Sequence, residues 1–203
     1  MTEEARLEAL DSGLAPVTEG WFTVNVRDAA WQTHPKFGAR CTFELGRRVL
    51  GDREDLEPQP FPQVGVNLAV FWPEQPSTLY HGETEQEDFL VLAGECLAIV
   101  EGEERRLRAW DFVHCPPGTH HVFVGAGDGP CVILMMGHRP NRGIDYPRSE
   151  VALEHGAGVE TPTDSPQQAY APHGHWRPAR PEGWDELPWS RPGRVRRDRL
   201  DRR

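Results

Sequence analysis

The sequence predicts an all-β fold, a small antiparallel barrel with one short helix and a long C-terminal arm. Two observations carry this. From Val64 to Met136, short β-prone runs recur at near-regular spacing: Val64 to Trp72, Asp88 to Leu92, Cys96 to Val100, Arg105 to Leu107, Trp110 to Cys115, His121 to Val124 and Cys131 to Met136. Gly- or Pro-containing turns punctuate them, among them Gly94, Glu101-Gly102, Pro116-Pro117-Gly118 and Gly125 to Gly129, which is the pattern of a sandwich or barrel. In addition, several runs are apolar at both parities, as in strands covered on both faces by a second sheet or by the terminal arms.

The remaining elements follow in order. Residues 3–10 read as a short helix closed by the Asp11-Ser12-Gly13 turn signal. Trp21 to Val26 and Arg40 to Leu45 read as short β pieces, and the charged, Pro-rich residues 51–62 as a loop. Ser149 to His155, with a serine N-cap and Gly156 behind it, reads as one short helix. Residues 160–193 are rich in Pro and Gly but hold Tyr170, Trp176, Trp184 and Trp189. A freely disordered segment is poorer in aromatics, so this arm is expected to pack on the barrel or on a second subunit. The divisions expected are an N-terminal helix and β-arm over 1–63, a barrel core over 64–140, a C-terminal helix and Pro/Trp-rich arm over 141–190, and an Arg-rich, disordered tail over 191–203.

Composition limits the function classes. A chain of 203 residues accommodates one barrel with appendages. The net charge of -10 is uneven: seven arginines and two aspartates give residues 191–203 a charge of +5, which leaves -15 on the rest. An acidic body argues against nucleic-acid binding by the barrel. No apolar run approaches the roughly 18 to 20 residues that span a bilayer, and the acidic start Met1-Thr-Glu-Glu lacks the layout of a signal peptide. The expectation is a soluble, cytoplasmic protein that does not engage a membrane. Cys41, Cys96, Cys115 and Cys131 form no C-x-x-C pair and lie among apolar neighbours, as buried free thiols do.

The chemistry concentrates between Tyr80 and Val122. His81 and Glu83 are two residues apart, so on a strand they project the same way. Glu87 follows after Thr84-Glu85-Gln86, enough chain to turn and bring its carboxylate back. Pro116-Pro117-Gly118 is a tight-turn signal that launches the strand carrying His121. Two imidazoles and two carboxylates then converge inside the barrel. Such N/O ligation suits one divalent transition metal, Zn, Fe, Mn, Ni or Co, and does not choose among them. Burying two carboxylates without a cation costs several kcal/mol, on the order of the penalty for an unpaired buried charge.

These residues resemble the cupin superfamily, whose first motif is G-x5-H-x-H-x3/4-E-x6-G and whose second is G-x5-P-x-G-x2-H-x3-N. His81, Glu83, Glu87 and Gly94 stand at the first motif's spacing, and Pro116, Gly118 and His121 at the second's. The departures are Gln75 and Trp110 for the two opening glycines, Gly125 for the closing asparagine, and Glu83 for the second histidine. The resemblance implies a double-stranded β-helix, or jelly-roll barrel. It also implies a metal held by His81, Glu83, Glu87 and His121 with one or two positions open, and a homodimer exchanging terminal strands. The family's three-His-one-Glu set becomes two-His-two-Glu here, which neutralises a divalent ion and makes it a weaker Lewis acid.

The function this implies is metal-dependent action on a small polar molecule, of the dioxygenase or of the isomerase/epimerase type. The alternative is a non-catalytic cupin that binds or senses a metal or ligand, with the arm serving a partner. No catalytic residue beyond the metal set is identifiable. His120 should face outward, Cys115 and Phe71 read as core, and His173-Gly174-His175, beside Trp176, reads as packing or adventitious metal binding rather than as a second site.

Overall fold

A computed structural model describes residues 2–50, 53–140 and 143–190. The expected disorder of 191–203 lies outside the described residues.

The N-terminal part holds β1 (Leu7–Leu10), β2 (Gly13–Pro16), β3 (Gln32–His34), β4 (Gly38–Cys41) and the four-residue helix α1 (Arg47–Leu50). The central part runs through β5 (Val64–Phe71), β6 (Gly82–Glu83), β7 (Glu87–Ala93), β8 (Glu95–Val100), β9 (Glu103–Arg108), β10 (Phe112–Cys115), β11 (His121–Gly125) and β12 (Cys131–His138). β13 (Ile144–Asp145), α2 (Glu150–Glu154), α3 (Pro166–Tyr170) and β14 (Arg177–Pro178) complete the series, with 3₁₀ turns in the arm.

Seven strands form one antiparallel sheet in the order β10-β7-β12-β5-β4-β3-β14, and three form a second, β11-β8-β9. The two inner faces share one core. Ala69, Phe71, Phe89, Val91 and Ile133 from the first sheet meet Cys96, Ala98 and Phe123 from the second. This is the jelly-roll barrel the sequence predicts. The longest pairing is β5 with β12, eight residues in unbroken register from Cys131 opposite Phe71 to His138 opposite Val64. With a period of two, residues 65, 67, 69 and 71 face inward.

The outer face of the large sheet is covered by the chain's own ends. Trp31, with no exposed surface, packs with Leu187, Trp184 and Trp189 of the arm, and its ring meets that of Trp184 edge-on at 5.6 Å. This covering explains the runs apolar at both parities. No helix among the described residues is long and apolar enough to cross a membrane.

Three expectations need correction. Residues 7–10 form a strand, not part of a helix: β1 pairs with β2 from Leu7 opposite Pro16 to Leu10 opposite Gly13. An eight-residue helix is too short to stand alone in water, whereas the hairpin satisfies its backbone in a ladder, and the Asp11-Ser12 turn signal serves the hairpin. Trp21 to Val26 is not a strand either; only Trp21 bridges, to Glu4. The expected helix is α2, with the Ser149 hydroxyl accepting from the Ala152 amide at 3.3 Å, but α1 and α3 stand beside it. α3 carries a Ser165 N-cap and Pro166 in its first turn, a start signal present in the sequence.

Where the second motif opens on glycine, Trp110 adopts φ 78° with 74% of its surface exposed. A left-handed backbone costs a non-glycine residue about 1–2 kcal/mol. Trp110→Gly is therefore expected to stabilise the fold by about 1 kcal/mol, a rise of roughly 2–4 °C in Tm, read by thermal denaturation. An unchanged or lower Tm would mean that the indole makes a compensating contact.

Candidate metal centre

His81 and His121 are brought together by the backbone. They form a narrow antiparallel bridge in which the His121 amide donates to the His81 carbonyl at 2.8 Å and the His81 amide returns the bond at 3.2 Å. Residues so paired project to one face, and the two rings stand 5.0 Å apart. Glu87 opens β7 opposite Gly137. A Cβ at Gly137 would lie in ordinary contact, 3.4 Å from a Glu87 carboxylate oxygen, which places that oxygen over this row. One donor atom from each of His81, Glu87 and His121 lies within 4.8 Å of the other two.

Neighbouring carbonyls set the tautomers. His81 Nδ1 lies 2.6 Å from the Leu79 carbonyl oxygen, and His121 Nδ1 lies 3.0 Å from that of Thr119. A carbonyl only accepts, so each Nδ1 carries the proton and each Nε2 keeps its lone pair. Burial holds both rings neutral: His81 is pushed below its usual range, and His121 down to about 3, by burial first and by the adjacent His81 second. His121 Nε2 then faces a Glu87 carboxylate oxygen at 3.3 Å. Two lone pairs meet there, and a shared proton or a cation between them relieves the repulsion. Two neutral imidazoles aimed by carbonyl hydrogen bonds, with one carboxylate, fit a divalent transition metal. Aromatic rings wall the group: Phe89 lies 4.9 Å from the His121 ring and Tyr146 lies 5.8 Å from the His81 ring.

The fourth expected ligand, Glu83, stands apart from this group. It belongs to β6, which pairs with β13, and it lines the same cavity as the other three without sharing their cluster. His120 turns the other way, as expected, with Nε2 2.9 Å from an Asp145 carboxylate oxygen. Cys115 is buried in the inner core, and burial raises its thiol to about 12, with the Glu87 charge adding to the shift, which disfavours the thiolate. All four cysteines are free and buried.

The donor trio, the candidate metal group, opens into a cavity of about 970 Å3. Its walls include residues that sequence reasoning did not single out: Arg40 from β4, Asn67 from β5, Ser77, and Tyr146. The arm adds Pro166, Tyr170, His175 and Trp176. The arm is tied down by His34. The Lys36 amide donates to His34 Nδ1 at 3.0 Å, which leaves Nε2–H for the backbone carbonyls of His173 and Gly174. Tyr170 contributes its hydroxyl to the Leu79 amide at 3.3 Å. Of the pair noted in the sequence, His173 packs on Phe37 as expected, while His175 lines the cavity. Only alternation along β4 and the aromatic content of the arm foreshadowed these walls.

The family described as the cupin domain matches residues 67–137, the span that contains every residue of the metal group. Among solved structures, the chain is similar to a sugar phosphate isomerase of the cupin superfamily from Silicibacter pomeroyi, with 27% identity and TM-score 0.41 over 53% of this chain and 64% of that one. It thus covers less than two thirds of that protein's length. It is also similar to a cupin 2 conserved barrel domain protein from Salinispora arenicola, with 25% identity and TM-score 0.35 over 39% of this chain and 69% of the other. A third similarity is to the polyketide cyclase RemF from Streptomyces resistomycificus, with 15% identity and TM-score 0.40 over 68% and 78%. Curated proteins give no match.

Proposed function

We propose that this chain, whose residues 67–137 match the cupin domain, holds one divalent transition metal at His81, Glu87 and His121, with Glu83 closing on the ion as fourth ligand, and acts through it on a small polar molecule. The observation that carries this reading is the trio of donor atoms within 4.8 Å of one another, two of them imidazole nitrogens kept unprotonated by burial and by carbonyl hydrogen bonds. When bound, the metal supplies Lewis acidity toward a substrate oxygen, or redox chemistry if it is iron or manganese.

The chain's own residues do the rest. Leu79 and Thr119 hold the imidazole protons on Nδ1. Phe89, Phe123 and Met135 keep that side of the cavity apolar, which excludes water and strengthens every polar interaction with a substrate. Tyr146, Tyr170 and Trp176 close the cavity from the arm side and restrict it to a small molecule. The reaction type is isomerase/epimerase or dioxygenase.

The test is elemental analysis of the purified chain, followed by oxygen uptake and product analysis with a panel of small polyols, hydroxy acids and their esters. About one metal per chain and a chelator-sensitive product are expected. A bound metal with ligand-induced stabilisation but no product from any substrate would establish the non-catalytic, sensing alternative instead.

We further propose a homodimer. The edge strand β10 presents Phe112, 59% exposed, and an apolar edge is what a second copy would cover. A monomer in light scattering would overturn this.

A further inference from the structure

The cavity holds two features that the metal group does not use. Ser77 is 4% exposed, lines the cavity, and its buried hydroxyl has no hydrogen-bond partner among the described residues. A hydroxyl buried in this way is costly unless something arrives to meet it. Arg40 lines the same cavity, with its guanidinium carbon 4.3 Å from the centre of the Trp176 ring. Stacking uses the face of a guanidinium and fixes its plane. The N–H fork that matches an oxyanion lies within that plane.

Strand register sets the two groups at different depths from the metal group. Arg40 pairs with Ala69 on β5, whereas Glu87 shares its row with Gly137 and Gly65. Ala69 and Gly65 are four residues, or about 14 Å, apart along β5. Ser77 stands nearer: its amide donates to the Phe123 carbonyl at 2.8 Å, two residues or about 7 Å from His121 along β11, because five residues between the Pro76–Val124 and His81–His121 bridges span only three of β11. The cavity therefore has a metal pole and a cationic pole at Arg40, separated by the row of Phe89 and Met135 with Asn67 beside them and Ser77 at the level of Phe123. No single oxygen reaches both poles.

Charge points the same way. Among the lining residues, one arginine stands against two glutamates, which leaves one negative charge, and a divalent ion turns this into one positive charge. We propose that the cavity takes a small organic anion, a carboxylate or a phosphate monoester, held at its charged end by Arg40, met part-way along by the Ser77 hydroxyl, and turning a second oxygen, several bonds away, toward the metal group. The proposal rests on the metal reading above. It also accounts for the docking of the arm, since Trp176 fixes the guanidinium that reads the anion.

The test uses the full chain, metal-loaded and chelator-treated, with malate and glycerol 3-phosphate as anionic probes and glycerol as the neutral control, followed by calorimetry and thermal shift. The expected result is saturable binding of at least one anion to the metal-loaded wild type and none of glycerol. Malate alone would identify a carboxylate site and glycerol 3-phosphate alone a phosphate site. Arg40→Met is expected to weaken that binding at least 10-fold and Ser77→Ala several-fold, both with metal content unchanged. Arg40→Lys, which keeps the charge and guards against misfolding of the methionine variant, is expected to fall between. Metal-loaded wild type that binds neither anion, or folded Arg40→Met and Arg40→Lys that bind as well as wild type, would overturn the anion site and leave the metal reading standing. Arg40-dependent binding to a chain that takes up no metal would do the reverse.

Discussion

Glu87→Gln and His121→Ala are each expected to abolish metal retention while leaving a folded barrel. Removing groups that merely orient metal ligands typically lowers affinity about 10–100-fold; removing one of three donors that already lie within 4.8 Å of one another should exceed that, at about 100-fold or more. His81→Ala belongs in the same class. Glu83→Gln is expected to cost less, about 10-fold, because this carboxylate lies outside the preformed trio and has to close on the ion. Metal content after gel filtration, with circular dichroism as the folding control, reads all four variants. Full metal retention by folded Glu87→Gln and His121→Ala would place the ion elsewhere. Full retention by Glu83→Gln alone would make Glu83 a cavity carboxylate able to take a proton from substrate, and would leave the site with the +1 charge of one carboxylate under a divalent ion.

The second large effect is acid sensitivity of the metal-free chain. Burial holds His121 at about 3 in the folded state, against the ordinary 6.5, and lowers His81 in the same direction. As pH falls through 6.5, unfolded chains take up protons that the folded chain refuses. The stability contributed by the neutral, buried ring is thus complete above 6.5 and is lost progressively as pH drops toward 3. Each such histidine steepens the stability curve by up to about 1.4 kcal/mol per pH unit, and His121 alone removes about 2 kcal/mol between pH 6.5 and 4.5. Urea denaturation in the presence of chelator, at half-unit pH steps, measures this. His121→Gln, whatever its stability at pH 7, should lose one proton's worth of slope over that window. Identical slopes in wild type and variant would show that His121 is protonated in the folded chain, and would remove the argument that its Nε2 is ready for a metal. Bound metal should steepen the acid limb further, because protons and the ion compete for the same nitrogens.

How much of this was legible in the sequence differs from residue to residue, for physical reasons. The barrel was legible because strand alternation and turn chemistry are local properties. Gly94 shows why: it turns β7 into β8 at φ 74°, where a Cβ would come 2.3 Å from the Pro130 carbonyl oxygen, and only glycine meets both demands. His81 and Glu87 were legible because only five residues of one strand and turn separate them, and His121 because a Pro-Pro-Gly turn announces its strand. The N-terminal segment was misread for the converse reason. Leu7 to Leu10 carries helix-forming residues, but partners three to nine residues on in β2 decide its state, and tertiary pairing overrides propensity over so short a span.

The sequence by itself determined the barrel, its turns, α2 and the identity of the metal-type donors, since each is encoded within a few residues of chain. Only the tertiary structure decided that Glu83, on β6 paired with β13, lines the cavity outside the preformed trio. Only the tertiary structure brought Arg40, Ser77 and Trp176 into one cavity. They lie on β4, on the segment before β6 and in the arm, more than 130 residues apart at the extremes, and nothing local to any of them says which wall it will line.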